Sequence, residues 1–324
     1  MQNLLDPAIL FFVFGVAFGL MRSNLEIPPQ VAKFLSLYLL MALGLKGGFS
    51  LAQSGLSLQI ALSLLAAMSL ALVIPAIGYA VLSRWTSKLD SAAVAAAFGS
   101  VSAVTFVAAS QYVETRGIAV GGHMAVAMVL MESPAIVMAV LLANRARRHD
   151  ATVAATALPK PISIAHVLRE AFTDGAHLLL LGALAIGWLS GPAGKQMMQP
   201  FSADIYKGML AFFLLDMGLT VARSFAAVRG QSRRIVAYAV IAPPAHAMLA
   251  LLLALLLDLP TGDAALLMVL AASASYIVVP AVLRYAIPEA NPALYFGLAL
   301  GVTFPINILI GIPLYTALAQ RFVT

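Results

Sequence analysis

Ten stretches of the chain carry almost no charge, near residues 7–21, 31–50, 57–82, 91–113, 122–143, 172–191, 204–222, 235–257, 264–286 and 292–320. A straight helix needs about 20 apolar residues to cross a bilayer, and fewer suffice where the membrane thins or the helix is broken. The pattern therefore predicts an all-α polytopic membrane protein with ten transmembrane helices in one integral membrane domain. The opening residues Met1 to Asp6 lack the basic region of a secretory leader, so the first apolar run is expected to stay as a span.

Charge fixes the expected orientation. Of the 19 Lys and Arg residues, fourteen fall in one set of alternate connections, among them Arg84, Lys88, Arg145, Arg147, Arg148, Arg233, Arg234 and Arg284. Five fall in the other set: Lys46, Arg116, Lys195, Lys207 and Arg321. Basic residues are retained on the cytoplasmic side, so ten spans with both termini outside is the consistent topology. The longest connection, 144–170, is basic and contains Pro159-Lys160-Pro161, which predicts a cytoplasmic linker between a first five-helix unit (1–143) and a second (171–324).

Composition excludes several functions. The chain is 62% apolar and only 10% charged, against roughly 25% charged in soluble domains. That excludes a soluble enzyme and leaves the net charge of +6 to basic cytoplasmic loops rather than to nucleic acid. There is no cysteine, hence no disulfide and no thiolate chemistry. Zincin, phosphate-loop, nucleophile-elbow and dinucleotide motifs are missing from any supporting context, so no enzyme and no cofactor are expected.

The two units repeat. Gly44 in Leu-Met-Ala-Leu-Gly-Leu matches Gly218 in Leu-Leu-Asp-Met-Gly-Leu, 174 positions on. Ser100 to Ser102 matches Ser273 to Ser275, displaced by 173, and Pro134 matches Pro305, displaced by 171. With five spans in each unit, the second copy must lie inverted in the membrane, as in many transporters.

Spans four and nine carry the candidate chemistry. The first contains Gly-Ser-Val-Ser-Ala-Val-Thr at 99–105, and the second contains Ser273, Ser275 and Tyr276 ahead of Pro280. Small hydroxyl residues in mid-span predict helices broken near the bilayer centre, whose freed amides and positive dipole ends would face each other across an anion site. Serine and threonine oxygens can also hold a cation, so sodium is a coupling ion to consider at Ser102, Thr105 and Ser275. The same small residues equally allow close helix packing with no ligand. Glu132 beside Pro134, Ser100 and Asp216 are further ion-coupling candidates, since a charge inside a span costs roughly 2.5–3.5 kcal/mol. His246 is expected to be a neutral packing residue, and Lys46, Lys195 and Lys207 to snorkel outward.

Several of these segments resemble the sodium-dependent bicarbonate transporter family. They are Gly99 to Thr105, Leu-Gly-Leu-Lys-Gly-Gly at 43–48, Met-Glu-Ser-Pro-Ala at 131–135, Ile-Ala-Pro at 241–243 and Ala-Ile-Pro-Glu-Ala-Asn-Pro at 286–292. The resemblance implies a bacterial inner-membrane permease with a 5+5 inverted repeat. It implies a gate built from spans 1, 2, 6 and 7 against a core of the remaining spans, elevator-like movement and a homotrimer. By position, the family's anion and sodium site falls on Ser102, Ala103 and Thr105, and on Ser273, Ser275, Tyr276 and Val279. The chain departs from the family in both segments: Ala103 and Val104 stand where the family has glycine and serine, and in span nine Tyr276 stands in place of an aspartate and Val279 in place of a glycine. The resemblance leaves three functions to weigh: sodium-coupled bicarbonate uptake, proton-coupled uptake of another small anion or organic acid, and a non-transporting sensor docked by a trimeric signalling protein of the PII type.

Overall fold

The computed structural model describes residues 6–55, 57–149 and 173–323, and among them there is no strand. Most of the expected linker, from 150 to 172, lies outside the described residues. Every expected span coincides with helix. In the N-terminal half of the chain lie α1 (Pro7–Leu20), α2 (Pro29–Ser54), α3 (Leu58–Leu82), α4 (Lys88–Gly99), α5 (Ala103–Glu114) and α6 (His123–His149). In the C-terminal half lie α7 (Gly175–Gln199), α8 (Tyr206–Val228), α9 (Arg233–Leu256), α10 (Thr261–Ala272), α11 (Val278–Ala286), α12 (Pro292–Leu298), α13 (Phe304–Ile306) and α14 (Ile312–Phe322). The last three run on from one another through π-helical turns at Ala299–Thr303 and Asn307–Gly311.

Local chemistry sets many of the starts. The Asp6 side chain accepts from the Ala8 amide with Pro7 at the first helical position, and Ser57, Ser87 and Asp174 cap α3, α4 and α7 in the same way. Seven helical stretches are long and apolar enough to cross a membrane. One of them, Gly175–Val228, is 54 residues long, about 80 Å at 1.5 Å per residue and more than twice a bilayer core. It is interrupted at Gly191 (φ 56°) and by a π-turn at Pro200–Asp204, so it has room for two crossings. Pro7–Leu20 and Thr261–Ala272 are apolar but shorter.

Helix pairing is most extensive between α2 and α7 and between α1 and α8. Both pairs meet on glycine. A Cβ added at Gly44 would lie 2.8 Å from the Ala183 Cβ, and one at Gly218 would lie 3.0 Å from the Gly15 Cα. Small residues here bring the backbones together, the means by which helices associate in lipid without a hydrophobic drive. Lys88–Glu114 occupies the middle of the structure, with 94% of its most apolar window buried, against 39% for Leu58–Leu82. All of α10 from Gly262 to Ala272 is buried as well. The two broken helices are therefore the inner layer, and α1, α3 and α9 turn much of their apolar surface outward.

Candidate functional site at the helix breaks

The two breaks have the same construction. In the first, α4 ends at Gly99, Ser100 and Ser102 are extended, and the Ser102 hydroxyl accepts from the Thr105 amide at 3.2 Å to start α5. In the second, α10 ends at Ala272, Ser273 is extended, and the Ser275 hydroxyl accepts from the Val279 amide at 3.3 Å at the head of α11. Serine is suited to both positions because its short side chain can replace the carbonyl that the interrupted helix no longer supplies.

The breaks are also stitched to each other. The Ser102 amide donates to the Ser273 hydroxyl at 3.0 Å, and the Ser275 amide donates to the Ala97 carbonyl at 2.8 Å. Ser273 in turn donates to the Leu270 carbonyl at 2.9 Å, so its hydroxyl serves the break as both acceptor and donor. The Asn307 side-chain amide donates to the Ala272 carbonyl at 2.7 Å, so a second loose helix end is satisfied from the π-turn of the last span. Buried backbone groups freed by a break must be paired in this way.

A cavity of about 80 Å³ opens beside the stitched segment. Ser102, Ala103, Ser275, Tyr276 and Val278 line it from the breaks, Glu132 and Met128 from α6, Ser36 and Leu40 from α2, and Ala176, His177 and Leu180 from α7. Ala103 and Val278 are the first residues of α5 and α11, so both half-helices begin at this cavity. Of the residues expected at the site, Ser102, Ala103, Ser275, Tyr276 and Glu132 come together here. Thr105, Ser273 and Val279 are buried behind the wall, where the Thr105 and Val279 amides and the Ser273 hydroxyl hold the breaks together. Ser100 is buried at the end of α4 with no hydrogen-bond partner for its hydroxyl, outside the cavity lining. Asp216 is half-buried on α8, away from the cavity, and its carbonyl accepts from Thr220. His246 is buried on α9, also outside it.

One residue escaped the sequence reading. His177 Nε2 contacts the Glu132 carboxylate across the cavity wall, and both side chains are buried. The pairing explains how a carboxylate is tolerated next to two helix N-termini inside the fold, since an unpaired buried charge is costly. The sequence did hold a signal: a buried Glu132 demands a basic partner, and His177 is the first basic group inside the next expected span.

A second cavity of about 240 Å³ lies farther along the same helices, bordered by Leu43, Lys46, Phe106, Ser110, Glu114 and Met124. Leu40, Ala103 and Met128 face the first cavity, and Leu43, Phe106 and Met124 face the second, about one helical turn away. Lys46, expected to snorkel, is 2.8 Å from Glu114 and 4.3 Å from the centre of the Tyr206 ring, which joins α2, α5 and α8.

Comparison with known proteins now decides the family. A sequence profile described as the Na+-dependent bicarbonate transporter superfamily matches residues 7–320, nearly the whole chain. The chain belongs to this superfamily. A comparison with curated proteins finds no match. Membership in a bicarbonate transporter superfamily makes this a multi-span membrane protein of a transport family, not an enzyme family.

Proposed function

We propose that the protein is a secondary active transporter that carries a small anion through the cavity at the helix breaks, bicarbonate with sodium being the pair its superfamily suggests. The observation that carries this reading is that two half-helices start at one cavity, with the Ser102 and Ser275 side chains beside their first turns. Helix N-termini each present about half a positive charge and unpaired amides, which favours an anion. The Glu132 charge, which would repel that anion, is offset by His177.

Several features support a 5+5 inverted repeat with ten crossings and elevator-like alternating access. The two glycine-mediated pairs, α2 with α7 and α1 with α8, exchange if spans 1 and 6 and spans 2 and 7 are swapped. Ser100 and Ser273 are equivalent C-caps, and Ser102 and Ser275 equivalent amide acceptors. Two cavities one turn apart along α2, α5 and α6 suit a carrier closed toward one side. The test is uptake of labelled bicarbonate by proteoliposomes with and without a sodium gradient. Sodium-driven accumulation that Ser102→Ala weakens supports the reading, and no uptake under either condition defeats the cargo.

A second reading is favoured by the Glu132–His177 pair: the coupling cation is a proton and the cargo another small monoanion. It predicts uptake driven by a pH gradient and lost in Glu132→Gln.

A further inference from the structure

A third cavity, of about 460 Å³, shares Lys46, Ser50 and Glu114 with the 240 Å³ one. Beyond those residues it is bordered by Gln53 of α2 and by Lys195 and Gln199 at the end of α7. The residues of α2 and α5 that face the three cavities fall in rows. On α2 the row runs from Leu40 at the helix breaks through Leu43 and Gly47 to Ser50 and Gln53. On α5 it runs from Ala103 through Phe106 and Ser110 to Glu114. Steps of three and four residues keep to one face of a helix, so a single cleft between α2 and α5 leads from the breaks to the widest cavity.

The cleft changes character along its length. Near the breaks α2 contributes leucine, whereas from 46 to 53 it contributes Lys46, Ser50 and Gln53. The charged residues lining the two larger cavities are Lys46, Lys195 and Glu114, two ammonium groups against one carboxylate, a net charge of +1. Asp263 is buried outside both linings, where it accepts the Gly121 amide at 2.6 Å. Two of the five basic residues in the sparsely basic set of connections are thus gathered at one cavity. Walls of low dielectric focus such a field and raise the local concentration of anions.

Ser110 carries an independent mark. It lies in mid-helix on the row between Phe106 and Glu114, is 3% exposed, and its hydroxyl has no hydrogen-bond partner. Ser63, Ser69 and Ser224, also within helices, each return the hydroxyl to a carbonyl three or four residues back. A buried donor left unused in a cavity wall is one that a bound acceptor would satisfy.

We propose that this cleft holds an entry site for a small monoanion, captured by Lys46 in exchange for Glu114 and passed toward the breaks by way of the Ser110 hydroxyl. The proposal rests on the transporter reading above and gives it a route and a charge-selecting residue. Lys46 lies six residues from Leu40, about 9 Å along α2, so the entry site is separate from the one at the breaks. The Lys46–Glu114 pair is suited to exchange. Its side chains are 22% and 36% exposed, and a pair so accessible to water contributes little, which lets an arriving anion compete for the ammonium. The Tyr206 ring, 4.3 Å from the Lys46 nitrogen, gives the cation a second contact that remains when Glu114 leaves.

The experiment first reads the cavity's charge without relying on transport. Ser50→Cys in the otherwise cysteine-free chain places a thiol at the wall common to both larger cavities. The purified full chain in detergent is treated, at constant ionic strength, with an anionic sulfonatoethyl or a cationic trimethylammonioethyl methanethiosulfonate. The ratio of the two rates is normalised to that of mercaptoethanol. The anionic reagent is expected to be favoured, by about tenfold. Adding Lys46→Met should abolish the preference, Lys46→Arg should retain it, and Glu114→Gln should increase it several-fold. Bicarbonate or acetate replacing gluconate should slow the modification, except in the chain carrying Lys46→Met. A ratio that neither Lys46→Met nor Glu114→Gln moves, or a cysteine at position 50 that neither anion protects, overturns the entry site and leaves the transporter reading standing. In proteoliposomes Lys46→Met should raise the KM for labelled bicarbonate about tenfold while leaving kcat in place. Wild type that shows charge preference and anion protection but moves neither bicarbonate nor acetate overturns the transporter reading and keeps the anion site.

Discussion

Replacing Gly44 with alanine puts a methyl group where α7 already stands. The new Cβ would lie 2.8 Å from the Ala183 Cβ and 3.1 Å from the Leu184 amide nitrogen, against about 3.5–4.0 Å for carbon atoms in contact. Backbone lies on both sides of the clash, so α2 and α7 must part by about 1 Å, and overpacking on that scale costs roughly 1–3 kcal/mol. Alanine also returns up to about 1 kcal/mol of helix propensity, which blurs a single measurement. Gly182 on α7 supplies the reference, because a Cβ added there meets nothing within 4 Å. Gly182→Ala should gain the propensity without the clash, so the difference between the two variants isolates packing, at about 1–3 kcal/mol. Gly218→Ala, whose Cβ would lie 2.8 Å from the Val16 amide nitrogen, should behave like Gly44→Ala because it occupies the corresponding place between α8 and α1. The assay is the unfolding midpoint of each purified variant in one detergent. If Gly44→Ala and Gly218→Ala match Gly182→Ala, the glycine seams do not hold these helices together and the reasoning fails.

Other predictions concern the site and the Arg147–Glu289 ion pair. Ser102→Ala and Ser275→Ala should each cost about 1 kcal/mol by removing the acceptor for a buried amide, whereas Ser100→Ala, which removes an unpartnered hydroxyl, should be neutral or stabilising in the same unfolding assay. His177→Ala should cost roughly 3–5 kcal/mol by stranding Glu132, while joint replacement by His177→Leu and Glu132→Met should be close to neutral. A double-mutant cycle measures that coupling, and additive single effects would contradict the pair. At Glu289, burial pushes the carboxyl up, but hydrogen bonds from Arg147 outweigh it and hold the group below its ordinary value. A depressed carboxyl stabilises above its unfolded value and loses that contribution as pH falls through its folded value. Glu289→Gln should therefore lower the unfolding midpoint at pH 7, with the gap to wild type closing in acid.

Much of the fold was legible because membrane helices announce themselves by apolar length, and all ten expected runs are helical. The break in span four was readable from Ser100 and Ser102, since small hydroxyl residues in mid-span can replace a lost helical hydrogen bond. Which hydroxyls would face a cavity was not readable: Ser273 and Ser275 are two residues apart, yet Ser273 is consumed by Ser102 and Leu270 while Ser275 lines the open space. His177 was missed for a related reason. It meets Glu132 only because α6 and α7 converge at the cavity, a contact between distant parts of the chain that no local pattern encodes. The π-turns around Asn307 are similarly silent in hydropathy, since their role is to carry one amide to the Ala272 carbonyl.

The absence of cysteine makes the central claim directly testable by single-cysteine labelling in membranes. Ala103→Cys places a thiol where α5 begins at the cavity, and Val104→Cys places one on the buried neighbour. An anionic thiol reagent is applied to each, with and without bicarbonate or a second small monoanion, acetate. The account predicts that the cysteine at position 103 reacts, that one of the anions slows its reaction, and that the cysteine at position 104 stays inert. Equal reactivity at the two positions, or reaction at 103 that neither anion slows, would contradict an anion site between the two helix breaks.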